Sequence, residues 1–191
     1  MLTPVRTAAP AKEVVSLAEV KAHCAVEHED DDAILRAYLT AAIGYLDGYA
    51  GVLGRALITQ TWRQDFCGFA SCLRLPLRPV QSATVKYQDA NDVEQTLAGS
   101  VYTLLADARG AYLSLKSGQS WPSTYDRADA VAVTFVAGYG AEPTNVPPQI
   151  RTAILLHVAQ LYRNREAAGD PSTVLPLGYD ALIHPFRAGL L

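Results

Sequence analysis

The stretch HCAVEHEDDD gathers His23, Cys24, His28 and a run of carboxylates, a mixture that could hold a metal ion. Its spacing fits neither a tetrahedral zinc site nor an EF-hand loop. It reads instead as a helix end followed by a solvated acidic link. Asp30, Asp31 and Asp32 then sit at the start of the next helix, where the dipole favours negative charge. FVAGYG, Phe135 to Gly140, places glycines between a strand and a helix, where phosphates are often cradled. A Rossmann loop needs GxGxxG opening a helix directly, and a P-loop needs a GK[ST] ending. Neither is present, and a proline-containing link intervenes before the helix, so the glycines are expected to serve as a joint.

Nucleophilic chemistry has equally little to build on. Cys24, Cys67 and Cys72 are odd in number and lack CxxC spacing, which fits buried small apolar residues of a reducing compartment. His157 falls mid-helix beside an apolar stripe, and His184 precedes a proline. A hydrolase pairing Cys67 or Cys72 with His157 is the enzymatic alternative, but no GxSxG or HExxH signature supports it. No metal or cofactor is expected.

The elements that position these residues follow from periodicity. SLAEVKAHC opens with Ser16 and carries Glu19 three residues on, a capping box for a short helix. Leu35, Leu39, Ala42, Leu46 and Tyr49 recur at helical spacing along DDAILRAYLTAAIGYLDGYAG. From Arg55 to Gly140 short alternating runs separated by turns predict about seven strands in an antiparallel sandwich or small barrel. VPPQIRTAILLHVAQLYRNREAAG returns to helix, with Pro at its first turn and Ile150, Ile154, Val158 and Leu161 as its stripe.

The expected fold class is therefore α+β. Residues 16–54 and 147–169 form a helical platform, 55–146 an inserted β-rich module, 1–15 a flexible arm and 170–191 an extended C-terminal tail. That tail is apolar yet broken by Pro171, Pro176 and Pro185. Leu175, Leu177, Tyr179, Leu182, Ile183 and Phe186 could each contribute roughly 1.5–3 kcal/mol if buried. The tail is expected either to fold back on its own helices or to dock into another subunit.

Composition limits the function classes. The chain has 191 residues, half of them apolar, and a net charge of −3. That balance argues against a broad phosphate-gripping surface and against a nucleic-acid-binding module. No apolar run is long enough for a signal peptide or a membrane span, so a soluble protein made in a cytoplasm is expected. Tyrosine outnumbers phenylalanine ten to four. Tyr38 and Tyr45, just off the core stripe of the long helix, suit either a core edge or an interface. Arg163 and Arg165 complement the dipole of the last helix and could also grip an acidic partner.

An ordered series of segments resembles the head–tail connector proteins of long-tailed bacteriophages, also called adaptor or head-completion proteins, with relatives in gene transfer agents. The series is SLAEVKAHCAVEHEDDDAIL, GRALITQTW, LPLRPVQSATVKYQD, SWP, VAVTFVAGYG, VPPQIRTAILLHVAQLYRNREA and PLGYDALIHPF, and it spans about Ser16 to Arg187. The resemblance implies a non-enzymatic virion protein, assembled in the host cytoplasm. Such a protein forms a ring, usually of twelve copies, under the portal at the head–tail junction. It extends the DNA channel, through which DNA passes without specific binding, and seats a stopper or tail-completion protein. A stopper or tail terminator of the same particle is the nearest alternative, but the two bracketing helices favour the adaptor. On this reading Leu175, Leu177, Tyr179, Leu182, Ile183, Phe186 and Arg187 dock into the portal. Tyr38, Tyr45, Arg163 and Arg165 lie at the ring interface, and Glu27, Glu29, Asp30 and Asp31 line the channel, where like charge limits sticking of DNA.

Overall fold

The computed structural model describes residues 1–165 and 177–187. Among the described residues, four α-helices and eight strands divide between two compact units, an α+β fold of the expected class. One unit comprises Met1–Ala11 and Thr59–Tyr139, the other Lys12–Ile58 and the chain from Gly140 through the described C-terminal helix.

The β unit holds two antiparallel sheets. The larger has the order β1 (Val5–Ala8), β2 (Gln60–Phe66), β8 (Val131–Ala137), β4 (Val80–Gln88), β5 (Glu94–Thr96). The smaller has the order β3 (Cys72–Arg74), β7 (Gly110–Leu115), β6 (Tyr102–Asp107). β2 and β8 alternate buried and accessible residues, as a half-covered sheet must. Phe135, Val133 and Val85 of the larger sheet and Leu73 and Leu113 of the smaller are fully buried. The Tyr102 hydroxyl of β6 donates to the Ala83 carbonyl of β4 at 3.1 Å and ties the two sheets.

β1 is the element that sequence reading assigned to a flexible arm. All four of its residues are exposed, so it has no alternation to betray it, and only pairing with β2 makes it a strand. Gln64, fully buried on β2, secures the segment ahead of β1 by donating its side-chain nitrogen to the Leu2 carbonyl at 2.5 Å.

The helical unit is built from α1 (Leu17–Cys24), α2 (Asp32–Leu46), α3 (Pro148–Arg163) and α4 (Leu177–Ile183), followed by a 3-10 turn at His184–Phe186. The capping box at α1 forms as its residues require. Glu19 N–H donates to Ser16 Oγ at 3.2 Å, and Ser16 N–H donates to the Glu19 carboxylate at 2.8 Å. Val20, Leu35, Leu39, Ala42, Leu46, Ile150, Ala153, Ile154 and Val158 supply the buried faces. Tyr49 leaves the expected stripe and is 47% exposed. The reason is local: α2 ends at Leu46, and Gly48 turns the chain with a φ of 81°.

The structure draws the unit boundaries inside those expected from sequence. Arg55–Ile58 and Gly140–Val146 belong to the helical unit, where Leu57, Ile58 and Val146 are buried. The FVAGYG stretch spans the crossing between units. Gly138 adopts a φ of 139°, and its N–H donates to the Pro79 carbonyl at 2.9 Å. At Gly140 a Cβ would fall inside the Asn145 side chain, so only glycine fits. Of the expected tail, residues 170–176 and 188–191 lie outside the described residues, as does the end of the expected helix beyond residue 165.

Candidate interaction surfaces

Side-chain links across the helical unit define its surfaces. Lys12 meets Glu142 at 2.6 Å, Lys21 meets Asp32 at 2.7 Å, and the Arg151 guanidinium meets the Glu19 carboxylate. Asp31 Oδ2 accepts from the Tyr162 hydroxyl and, at 2.9 Å, from Arg165 Nη2. The Arg165 guanidinium also lies over the Tyr162 ring, 4.6 Å from its centroid. Asp31 occupies the N-cap position of α2 without making a side-chain cap, so its carboxylate serves the end of α3 instead. The Tyr162 hydrogen bond chiefly, with Arg165 adding, holds the Asp31 carboxyl below its ordinary range and pushes the Tyr162 phenol up. Glu19 is lowered mainly by the Ser16 backbone N–H.

This arrangement joins two residues that sequence reading kept apart. Asp31, expected in the channel lining, and Arg165, expected at the ring interface, bond to each other. Glu27, Glu29 and Asp30 remain exposed, with His28 Nδ1 at 3.8 Å from Asp30. Arg163 is exposed and Tyr38 half-buried. Among the described residues no three of His, Cys, Asp and Glu stand together as metal ligands. Cys24 is half-buried, and burial raises its thiol pKa. Cys67 and Cys72 lie in the β unit and His157 in the helical unit. No described helix is long and apolar enough to cross a membrane.

The C-terminal segment folds back on its own helices. Tyr179 is 1% exposed and Ile183 fully buried. Leu182, Phe186 and Arg187 are half-buried, while Leu175 and the side chain of Leu177 lie outside the described residues. The Tyr179 hydroxyl and His157 Nδ1 are 3.3 Å apart. The His157 ring stands edge-on between Tyr45 at 5.4 Å and Tyr179 at 5.5 Å. Desolvation pushes the Tyr179 phenol up to about 12 and lowers His157. Arg187 Nη2 donates to Asp180 at 2.8 Å. Tyr45, Tyr49 and Val52 remain exposed at the far end of α2, leaving aromatic surface of the kind interfaces favour.

Sequence reasoning missed Arg55, Tyr162 and Arg151 as organising residues. Each bonds a group more than 130 positions away, and no local pattern carries such a signal.

The comparisons with known proteins follow this geometry. Residues 14–97 match the family model of phage gp6-like head–tail connector proteins. No curated protein matches the sequence. Three solved structures share the fold along the entire chain and over 97% of their own. A chain of the neck of an empty gene transfer agent particle, computed with C6 symmetry, aligns with a TM-score of 0.80 and 24% identity. A chain of the native gene transfer agent virion aligns at 0.79 and 25%. A chain of the native particle's neck, computed with C12 symmetry, aligns at 0.78 and 24%. Residues 14–97 are thus similar to phage head–tail connector proteins, and the fold of the whole chain is similar to that of chains in gene transfer agent particles.

Proposed function

We propose that this chain is a structural head–tail adaptor, one subunit of a ring at the junction between a filled head and its tail. The observation that carries the reading is the shared fold over the full chain together with the connector match at residues 14–97. The symmetric necks of the structural relatives support assembly with copies of itself. A ring of twelve under a portal protein, seating a stopper or tail-completion protein below, is the arrangement the connector resemblance implies. The helical unit packs side to side, with Tyr38, Tyr45, Arg163 and Arg165 near the seam. Glu27, Glu29 and Asp30 offer exposed negative charge suited to a channel through which DNA slides, with the half-buried Asp31 next to them in sequence.

The C-terminal segment is the portal-docking element of this proposal, from Leu175 through Arg187. Tyr179 and Ile183 hold it to its own helical unit. Leu182, Phe186 and Arg187 retain accessible surface. Multiple copies acting together give such a segment avidity beyond its single-site affinity.

Deleting the gene in the producing strain and imaging the particles tests the role. Filled or leaky heads beside separate, finished tails support it, and normal tailed particles overturn it. Removing the residues after Pro171 tests the docking. The expected product is a folded chain that no longer co-purifies with portal protein.

A further inference from the structure

The C-terminal segment is gripped at its far end by the loop between α2 and β2. Arg55 donates Nε to the Phe186 carbonyl at 2.7 Å, and its guanidinium lies 6.0 Å from the centroid of the Phe186 ring. One side chain thus holds both the backbone and the ring of the last aromatic residue before the described chain ends.

Arg55 itself is fixed by a closed knot of backbone between α2 and Leu57. Gly48 N–H donates to the Arg55 carbonyl at 2.7 Å, and Asp47 and Arg55 form an isolated parallel bridge. The Asp47 carboxylate accepts the Leu57 N–H at 2.7 Å. Val52 N–H reaches the Tyr45 carbonyl at 2.9 Å, and Leu53 is fully buried beneath. Gly48 and Gly54 take φ values of 81° and 58°. A Cβ on Gly51 would lie 2.5 Å from the Asp47 carbonyl oxygen. The three glycines of DGYAGVLGR are therefore demanded by the knot, and the knot sets where the Arg55 side chain begins.

We propose that Arg55 is a positioning residue that sets the register and exit direction of the C-terminal segment, presenting it preformed to its partner. Tyr179 and Ile183 supply burial, which is non-directional. The planar guanidinium supplies direction, because it satisfies a carbonyl and covers a ring only in one arrangement. In a ring, every copy then offers its segment at the same angle. Preformed presentation lowers the ordering cost of binding. This inference rests on the docking role proposed above for that segment.

The test uses the full chain with Arg55→Ala and Arg55→Lys. Hydrogen exchange is read at residues 179–187 and, as the control, along α2 and α3, and capture by purified portal protein is read in parallel. In Arg55→Ala, exchange over 179–187 is expected to rise about tenfold, the size of one charge-assisted hydrogen bond. Exchange in α2 and α3 should stay unchanged, Arg55→Lys should fall between, and portal affinity should drop by about the same factor. Unchanged exchange at 179–187 overturns the assignment, as does an equal rise throughout α2 and α3. Tighter portal binding by Arg55→Ala also overturns it, since the contact would then restrain the segment instead of presenting it. If the unaltered chain fails to bind portal protein, the docking role falls, and the exchange pattern still decides what Arg55 does.

Discussion

The two units close themselves in opposite ways. In the β unit, ion pairs join residues 2 to 35 positions apart: Arg63 with Asp65, Lys86 with Glu94, Arg127 with Asp129 and Asp92, Arg74 with Asp107. In the helical unit, Lys12 with Glu142, Glu19 with Arg151, Asp31 with Tyr162 and Arg165, and Arg55 with Phe186 are separated by 130 to 134 positions. One unit is the long segment Thr59–Tyr139 with Met1–Ala11 added at its edge, and the other is two segments on either side of it in sequence, pinned together. A long insertion between paired elements costs little, because closure entropy rises only with the logarithm of loop length. The platform can therefore carry a whole β unit between its helices.

Substitutions can break or sharpen that contrast, the largest effects first. Phe135→Ala in β8 and Ile154→Ala in α3 both empty fully buried sites. They should cost about 3–5 and about 2–5 kcal/mol respectively, read by urea unfolding. Gly140→Ala puts a methyl group into Asn145 at the crossing between units, with an expected cost of about 1–3 kcal/mol.

Acid should act on the helical unit through its distant pairs. The carboxyl pKa values of Glu19 and Asp31 are depressed below 4.5 and 3.8 in the folded chain. Their stabilisation is thus present above those values and is lost as pH falls through the folded ones. The gap in urea midpoint between the unaltered chain and a Glu19→Gln, Asp31→Asn variant should be widest near neutrality. It should shrink steadily below pH 4.5. A gap that persists undiminished in acid would show that these links act through packing alone.

Alkali probes the C-terminal segment. Tyr179, raised to about 12, stabilises the seated segment below the ordinary phenol value of 10, and that support is lost as pH rises towards 12. Phenolate absorbance should show a late-titrating component, to which Tyr162 also contributes, that loses one tyrosine in Tyr179→Phe. The smallest effect belongs to β1. Val5 is 59% exposed, so Val5→Thr should change stability by less than about 0.5 kcal/mol.

What was legible in the sequence follows the same division. The capping box at Ser16, the stripes of α2 and α3 and the strands from Gln60 to Ala137 are local patterns, and all three formed. β1 escaped notice because an exposed edge strand has no buried side to alternate with. Tyr49 was misplaced because Gly48 ends the helical path three residues earlier than the apolar spacing suggested. The seat of Tyr179 against His157, and the grip of Arg55 on Phe186, depend on chain segments that meet only after folding. The resemblance to connectors supplied the role proposed for the chain, but the partnerships of Asp31 and Arg151 needed the geometry.

The separation of about 130 residues between clamped partners also bears on synthesis. As the chain leaves the ribosome, α1 and α2 emerge after β1 and must wait for β2 to β8 before α3 can pack on α2. A product truncated between Leu97 and Pro148 keeps its connector-matching segment but lacks α3, the helix that packs against α2. Such fragments cannot complete the helical unit.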